Sequence, residues 1–151
     1  MKITISNILA VSEIEWYNKQ QEALKKLPLK TQWSIRKNMK ALESFSQEFL
    51  NFRQDLEEQK TKEWFVEGNG KCEKTTDEDG NEILQILEDY MEDFLAYNNK
   101  LNQQINDIAF EEIEVEITPI DLEEIVDIID KEKLELNMDD IDMLSIFEGW
   151  W

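Results

Sequence analysis

The chain of 151 residues contains no histidine and a single cysteine, Cys72. Histidine is the commonest general base, nucleophile activator and metal ligand in proteins, so its absence excludes a cysteine hydrolase of the usual kind. One cysteine cannot form a disulfide within the chain, and a reducing cytosol is therefore the simplest expected compartment. We interpret Cys72 as a passive thiol, although Lys71 and Lys74 lie close to it in sequence.

Glycine and proline are also scarce, with four and two residues, and they leave little material for extended linkers. No apolar run approaches the roughly 20 residues of a membrane helix, and residues 1–6 lack the apolar core of a signal peptide. The apolar fraction of 41% argues against disorder. We therefore expect one compact domain, residues 1–151, without membrane contact.

Positive charge is scarce in one part of the chain only. Residues 1–62 carry 11 Lys and Arg against 8 Asp and Glu, whereas residues 63–151 carry 5 against 27, within a net charge of −19. So strong a negative field opposes direct contact with nucleic acid and favours contact with a basic protein surface. The one basic patch comprises Lys30, Arg36, Lys37 and Lys40, which we interpret as a solvated surface or an internal partner for the acidic residues.

Three helical segments are predicted before residue 110. Ser12 and Glu15 have the spacing of a capping box and predict a helix over residues 12–27. Pro28 suits the first turn of a second helix, which we expect to reach about residue 62. Residues 81–108 predict the third helix.

Both long helices carry an apolar seam with a seven-residue period. The seam of the second helix consists of Ile35, Leu42, Phe49 and Leu56. The seam of the third helix consists of Leu87, Phe94, Leu101 and Ile108, with Ile83 beside it. In the seam of the second helix, the polar residue Asn38 stands between Ile35 and Leu42. Such seams predict an antiparallel helical hairpin within one chain, or pairing between two chains in a homodimer.

Residues 63–82 have the composition of a connection. They contain three of the four glycines, and the Asp79–Gly80 pair favours a tight turn. Residues 64–66 and 71–75 predict two short strands of a hairpin, and the turn after them is expected to start the third helix. Among the tryptophans, Trp16, Trp33 and Trp64 are interpreted as core or hairpin anchors.

Alternating polar and apolar residues predict strands near both ends of the chain. Lys2–Ser6 is one, and residues 112–117 are another, with glutamates on one face and Ile113, Val115 and Ile117 on the other. We expect these two strands to pair and to bring Lys2 near the glutamates.

The C-terminal quarter predicts two short acidic helices. Thr118 would cap the first, with Pro119 at its first position. The buried stripe of this helix would consist of Leu122, Ile125, Val126 and Ile129. Residues 133–137 would form a further strand before the second helix, as a repeat of the same unit. The predicted fold class is α+β, mostly α. A helical body at about 12–108 would hold the long antiparallel hairpin, and an acidic strand–helix portion at about 110–148 would hold the small sheet and the short helices.

The candidate partner-binding residues are the acids of this C-terminal portion and the last two tryptophans. The acids are Glu112, Glu114, Glu116, Asp121, Glu123, Glu124, Asp127, Asp139, Asp140 and Asp142. They occupy the polar faces of amphipathic elements, so we expect water around them rather than an enclosed cleft with a catalytic carboxyl pair. Trp150 and Trp151 would either fold back onto the apolar seam or serve as exposed anchors.

No catalytic residue, metal site or cofactor is predicted. A calcium loop with Gly80 at position 6 would place Thr75 and Ile86 at positions 1 and 12, where carboxylates are required. The acidic clusters leave open a weak, unspecific binding of cations.

Four segments carry a resemblance to a known family. They are Leu27-Pro28-Leu29-Lys30, residues 35–43 (IRKNMKALE), residues 77–82 (DEDGNE) and residues 117–122 (ITPIDL). In these segments the chain is similar to a family of uncharacterised small proteins encoded by tailed bacteriophages of low-GC Gram-positive bacteria. The resemblance implies a phage gene product in the cytoplasm of a bacterial host, and it implies no catalytic site. The chain departs from the family in its tryptophan content and in ending Gly149-Trp150-Trp151.

Two functions fit these observations. The first is a non-enzymatic, anti-defence protein whose acidic face occupies a basic, nucleic-acid-binding surface of a host protein such as a CRISPR effector, as a DNA mimic would. The second is an accessory structural or assembly protein of the virion that uses the helical hairpin as a strut. A small enzyme would require a closed carboxylate pair or a bound metal.

Overall fold

The computed structural model describes residues 1–149 and confirms a mostly helical α+β fold. Its elements, in chain order, are β1 (Lys2–Ser6), α1 (Asn7–Lys19), α2 (Gln21–Leu24), α3 (Leu29–Trp64), β2 (Cys72–Thr76), β3 (Glu82–Ile86), α4 (Glu88–Ala109), β4 (Glu112–Glu116), α5 (Leu122–Glu132) and α6 (Met138–Ser145). They form two compact units. The terminal unit comprises Met1–Glu48 and the chain from Ala109 onwards, and the central unit comprises Phe49–Ile108. The expected division into a helical body and a separate acidic portion does not follow these units, because the first 48 residues pack with the last third.

In the terminal unit, β1 and β4 form an antiparallel pair with Ile3 opposite Val115 and Lys2 opposite Glu116. Ile5 and Val115 are buried, while the alternate residues face water. Strand side chains point to opposite faces in turn, so one face of this ribbon is apolar and the other is polar. Both strands and their pairing are confirmed.

Helix α1 begins at Asn7, five residues earlier than the capping-box spacing predicts. Ser6, the last residue of β1, is its N-cap and accepts a hydrogen bond from the backbone N–H of Leu9 at 3.2 Å. Ser12 lies inside the helix, where its hydroxyl donates to the carbonyl of Ile8. The predicted N-cap at Ser12 was therefore wrong, because β1 leads directly into α1 at Asn7 and Ser12 lies within the helix.

The core of the terminal unit collects apolar side chains from both ends of the sequence. Its fully buried members include Ile35 and Leu42 of α3, Ile125 of α5, and Leu144 and Phe147 near the end of the described chain. The first half of the α3 seam therefore packs in a cluster with the small sheet and the short helices.

Helix α5 has Asp121 as its N-cap rather than Thr118, since the Asp121 carboxylate accepts from the N–H of Glu124 at 3.2 Å. Ile125 and Ile129 form the buried stripe of α5, as expected. Lys133 ends α5 in a left-handed conformation with φ 50°. Residues 133–137 do not form a strand, so the predicted second strand–helix unit has its helix, α6, but not its strand.

The central unit contains an antiparallel arrangement of α4 against the last turns of α3. The Trp64 ring lies 5.5 Å from that of Phe94 and 5.8 Å from that of Tyr97, between centroids. One helical turn earlier on α3, Lys60 Nζ donates to the side chain of Asn98 at 3.5 Å. Contacts that move forward on one helix and backward on the other establish opposite directions.

Two expectations for residues 64–87 were wrong. Trp64 is the last residue of α3 rather than part of a strand, and Phe65 N–H still donates to the carbonyl of Thr61. Residues 82–86 form β3, which pairs with β2, so the third helix starts at Glu88. The acidic turn between the strands is held by the Asp77 carboxylate, which accepts from two backbone N–H groups at 2.9 Å.

Candidate interaction surface

Strand β4 displays a row of three carboxylates. Glu112, Glu114 and Glu116 all point away from the core, because the residues between them are Ile113 and the buried Val115. All three glutamates are exposed. Glu116 also forms an ion pair with the N-terminal amine of Met1 at 3.0 Å, while keeping a side-chain exposure of 68%.

Helix α5 adds a second group of acids to the same unit. Glu123, Glu124 and Asp127 are exposed on the side of α5 opposite its buried stripe. Asp121 is exposed as well, and its carboxylate holds the first turn as the N-cap. Negative charge in the first turn of a helix is favoured by the helix dipole, so Asp121, Glu123 and Glu124 need no cation to be accommodated there.

Helix α6 divides its three acids between surface and core. Asp139 and Asp142 are exposed, whereas Asp140 is only 5% exposed. One Asp140 oxygen accepts from the indole N–H of Trp16 at 2.7 Å, and the other accepts from the backbone N–H of Asn137 at 2.8 Å. The expectation that Asp140 contacts a partner was therefore wrong, because its carboxylate ties α1 to the capping box of α6.

Nine of the ten candidate acids thus face water on ordered elements. Within residues 1–149, the only one of them with a cation within 4.0 Å is Glu116. No Lys or Arg of α3 lies within ion-pair distance of these nine carboxylates. Trp150 and Trp151, the remaining candidates, lie outside the described residues.

Asn38 holds part of this surface in place through hydrogen bonds that the seam pattern did not predict. Its amide donates to the carbonyl of Thr118 at 2.8 Å and accepts from the N–H of Thr118 at 2.7 Å. A buried amide that pairs with both backbone groups of one residue fixes the chain between β4 and α5 against α3. The signal in the sequence is a polar residue at a position where the apolar seam is interrupted.

Glu13 is a further carboxyl that sequence reasoning missed. It is fully buried in α1, and neither oxygen has a hydrogen-bond partner among residues 1–149. Burial without a partner disfavours the charged form and raises the pKa of Glu13 to about 8. The available signal was its spacing of three from Ala10, once α1 is known to begin at Asn7. A carboxyl without solvent access cannot meet a substrate, although it can bind a proton.

Trp33 is not a core anchor. It is 58% exposed on α3, and Leu29, one turn earlier, is 82% exposed. Lys37 Nζ lies 5.7 Å from the Trp33 ring centroid, a cation–π arrangement. Trp64, by contrast, is buried as expected.

No group of three or more Asp, Glu or Cys side chains within residues 1–149 is arranged to hold a metal ion. The same residues contain no helix both long and apolar enough to cross a bilayer. No protein-family model, curated protein or solved structure matches this chain. What the surface does must follow from its own side chains.

Proposed function

We propose that this protein is a non-enzymatic interaction protein that docks the exposed carboxylates of its terminal unit on a basic, nucleic-acid-binding surface of another protein. The observation that carries the proposal is that nine carboxylates lie on ordered elements and only Glu116 is ion-paired within the described chain. The resemblance to phage proteins suggests the setting, a bacterial cytoplasm in which the partner is a host defence nuclease such as a CRISPR effector.

The spacing of the β4 row suits this role in part. Alternate residues of a strand lie about 6.7 Å apart, so the row presents one charge per 6.7 Å, roughly half the linear charge density of one DNA strand. The acids of α5 and α6 add charge on the same unit. A negative surface on ordered elements accelerates encounter with a basic groove, and the backbone that carries it is ordered before binding.

A matched pair of charge variants tests the proposal against a purified, guide-loaded CRISPR effector. The surface variant carries six neutralising changes: E112Q, E114Q, E123Q, D127N, D139N and D142N. The control carries six in the central unit: D55N, E73Q, E78Q, E92Q, D93N and D107N. All twelve residues are exposed, and the surface variant spares Glu116, the Asp121 cap, Glu124 and the buried Asp140.

The measurement is competition with target DNA for the effector, followed as salt is raised. The wild-type protein should block DNA binding, the control variant should block it nearly as well, and the surface variant should fail. Equal loss of competition in both variants would mean that net charge, and not the position of the carboxylates, determines binding. The proposal would be overturned if the wild-type protein did not compete with nucleic acid for any nucleic-acid-binding host protein. Stoichiometric presence in purified virions would favour the alternative, an assembly protein.

A further inference from the structure

A pocket of about 450 Å³ opens on the terminal unit, between the loop before α3 and the end of α5. Leu27 and Pro28 line it from the loop, and Ile128 and Leu134 line it from α5 and the turn that follows. Its volume lies within the roughly 300–1,000 Å³ of small-molecule sites. The pocket is therefore large enough for a small organic ligand.

Hydrogen bonds within the protein hold the backbone of both walls. The side-chain amide of Gln32 donates to the carbonyl of Lys25 at 2.9 Å and to that of Leu27 at 2.6 Å. Across the pocket, the N–H of Leu134 donates to the carbonyl of Ile129 at 3.2 Å, which turns the chain back at the end of α5. A ligand would therefore enter a site whose walls are already formed, so no entropic cost of ordering them would oppose binding.

Three charged side chains also line the pocket, and their balance is unusual for this protein. Lys26 and Lys131 contribute two positive charges and Glu132 contributes one negative charge, a balance of +1 in a chain of net charge −19. Within residues 1–149, neither lysine has a carboxylate within 4.0 Å. Two cations without a counter-ion at one pocket favour a ligand that carries negative charge.

The pocket lacks the groups that other common ligands need. Among its described lining residues, Glu132 is the one carboxylate, whereas a calcium ion takes about six to eight oxygen ligands. The same described lining contains no aromatic ring and no hydroxyl or amide side chain, so a nucleotide or a sugar would find neither stacking nor oriented hydrogen bonds. A polyphosphate would carry more negative charge than the two lysines neutralise. The lining is instead complementary to a single negative charge on an aliphatic body.

We propose that this pocket binds a small amphipathic monoanion, namely a carboxylate on an unbranched aliphatic chain, as in a medium-chain fatty acid. The ammonium groups of Lys26 and Lys131 hold the carboxylate at the rim, with their stems along the apolar surface. The aliphatic chain packs on the apolar lining, Leu27, Ile128 and Leu134. Both lysines are exposed and Leu27 is buried, so the charged groups lie nearer to solvent than the apolar floor. The proposal does not depend on the proposed function, whose surface variant changes no residue of this pocket.

The first experiment is isothermal titration calorimetry of the full chain with butanoate, hexanoate, octanoate and decanoate. Each methylene that is buried in the pocket should tighten binding by about fourfold. Octan-1-ol has the chain of octanoate but no charge, and it should bind about three- to tenfold more weakly because it gains no ion pair. The proposal would be overturned if neither octanoate nor decanoate bound below its micellar concentration. Affinity that is independent of chain length, or equal for octanoate and octan-1-ol, would also overturn it.

A matched pair of charge variants tests the role of the two lysines. The pocket variant carries Lys26→Gln and Lys131→Gln, and the control carries Lys19→Gln and Lys40→Gln. All four lysines are exposed in the terminal unit, and both variants change the net charge by the same amount. The pocket variant should bind octanoate about three- to tenfold more weakly, whereas the control should bind it nearly as tightly as the wild-type protein. Unchanged melting of both variants confirms folding. Equal weakening in both would show that net charge alone determines binding and would overturn the site.

Amide chemical shifts locate the ligand without any substitution. Titration of octanoate into the isotope-labelled full chain should shift the amide signals of Leu27, Ile128 and Leu134 most, because these residues line the pocket. Shifts centred on the aromatic cluster around Trp64, in the central unit, would place the acid in a different apolar site and would overturn the proposal.

Discussion

The terminal and central units are built on different principles. The terminal unit joins the first 48 residues to the last third of the chain, and its mainly aliphatic core is tied by buried polar groups such as Asn38 and Asp140. The central unit is one continuous segment whose small core is aromatic around Trp64. Joining distant segments leaves backbone groups whose partners lie far along the chain, as Thr118 is bound by Asn38, whereas the turn backbone of the central unit finds its partner nearby, in Asp77. Single polar substitutions should therefore damage the terminal unit most.

The largest expected effect concerns Glu13 and pH. Its pKa is raised by burial to about 8 in the folded protein, against 4.5 as the ordinary value. Between these two values the folded state holds a proton on Glu13 that the unfolded state releases. The contribution of Glu13 to the free energy of unfolding is therefore fully present below about pH 4.5 and is lost as pH rises toward 8. The total loss is roughly 5 kcal/mol, at about 1.4 kcal/mol per pH unit.

Glu13→Gln should remove this slope, because glutamine stays neutral. Urea unfolding at several pH values between 5 and 8.5 measures it, with Glu15→Gln, exposed on the same helix, as the control. Identical slopes in the wild-type protein and Glu13→Gln would show that Glu13 does not titrate in this range.

Phe147→Ala should be the next most damaging change. The side chain is fully buried, and the backbone beside it is fixed by a hydrogen bond from the N–H of Ile120 to the carbonyl of Phe147 at 2.9 Å. Truncation of a buried phenylalanine costs about 3–5 kcal/mol. Urea unfolding followed by circular dichroism measures the loss. Phe52→Ala, at a half-exposed position of the central unit, is the control and should cost far less.

Asn38→Ala should cost about 2–3 kcal/mol, because it leaves the N–H and the carbonyl of Thr118 without their partner. Hydrogen exchange should show faster exchange at Thr118 with little change in the central unit. The exposed Asn99 of α4 provides the control, Asn99→Ala. If exchange at Thr118 stayed slow in Asn38→Ala, the bridge would not be what orders this segment.

The smallest expected effect is the difference in stability between two tryptophan substitutions, one in each unit. Trp16→Phe removes a hydrogen bond to the buried Asp140 carboxylate, which contributes roughly 1.5–3 kcal/mol. The Trp64 indole N–H has no partner among the described residues, so Trp64→Phe loses packing only. Calorimetric melting of both variants measures the difference. A Trp64→Phe variant that loses as much as Trp16→Phe would contradict the distinction between the two units.

Strands β1 and β4 and the short acidic helices followed from sequence because their signals are local. Alternation predicted β1 and β4, and the apolar stripe of α5 predicted its buried face. The boundary near residue 82 failed for a physical reason. Ile83, Leu84, Ile86 and Leu87 satisfy both the helical and the alternating pattern, and periodicity alone does not separate a short strand from the start of a helix.

Composition by itself determined that residues 63–151 are acidic, and periodicity determined that most of those acids occupy polar faces. Only the tertiary structure decided which carboxylates meet water. Asp139 and Asp140 are adjacent in sequence, yet one is exposed and the other is buried against Trp16. Successive helical residues point about 100° apart, so the fate of each depends on what the helix packs against. That contact joins residues 124 positions apart in the chain, a distance over which no local pattern carries information.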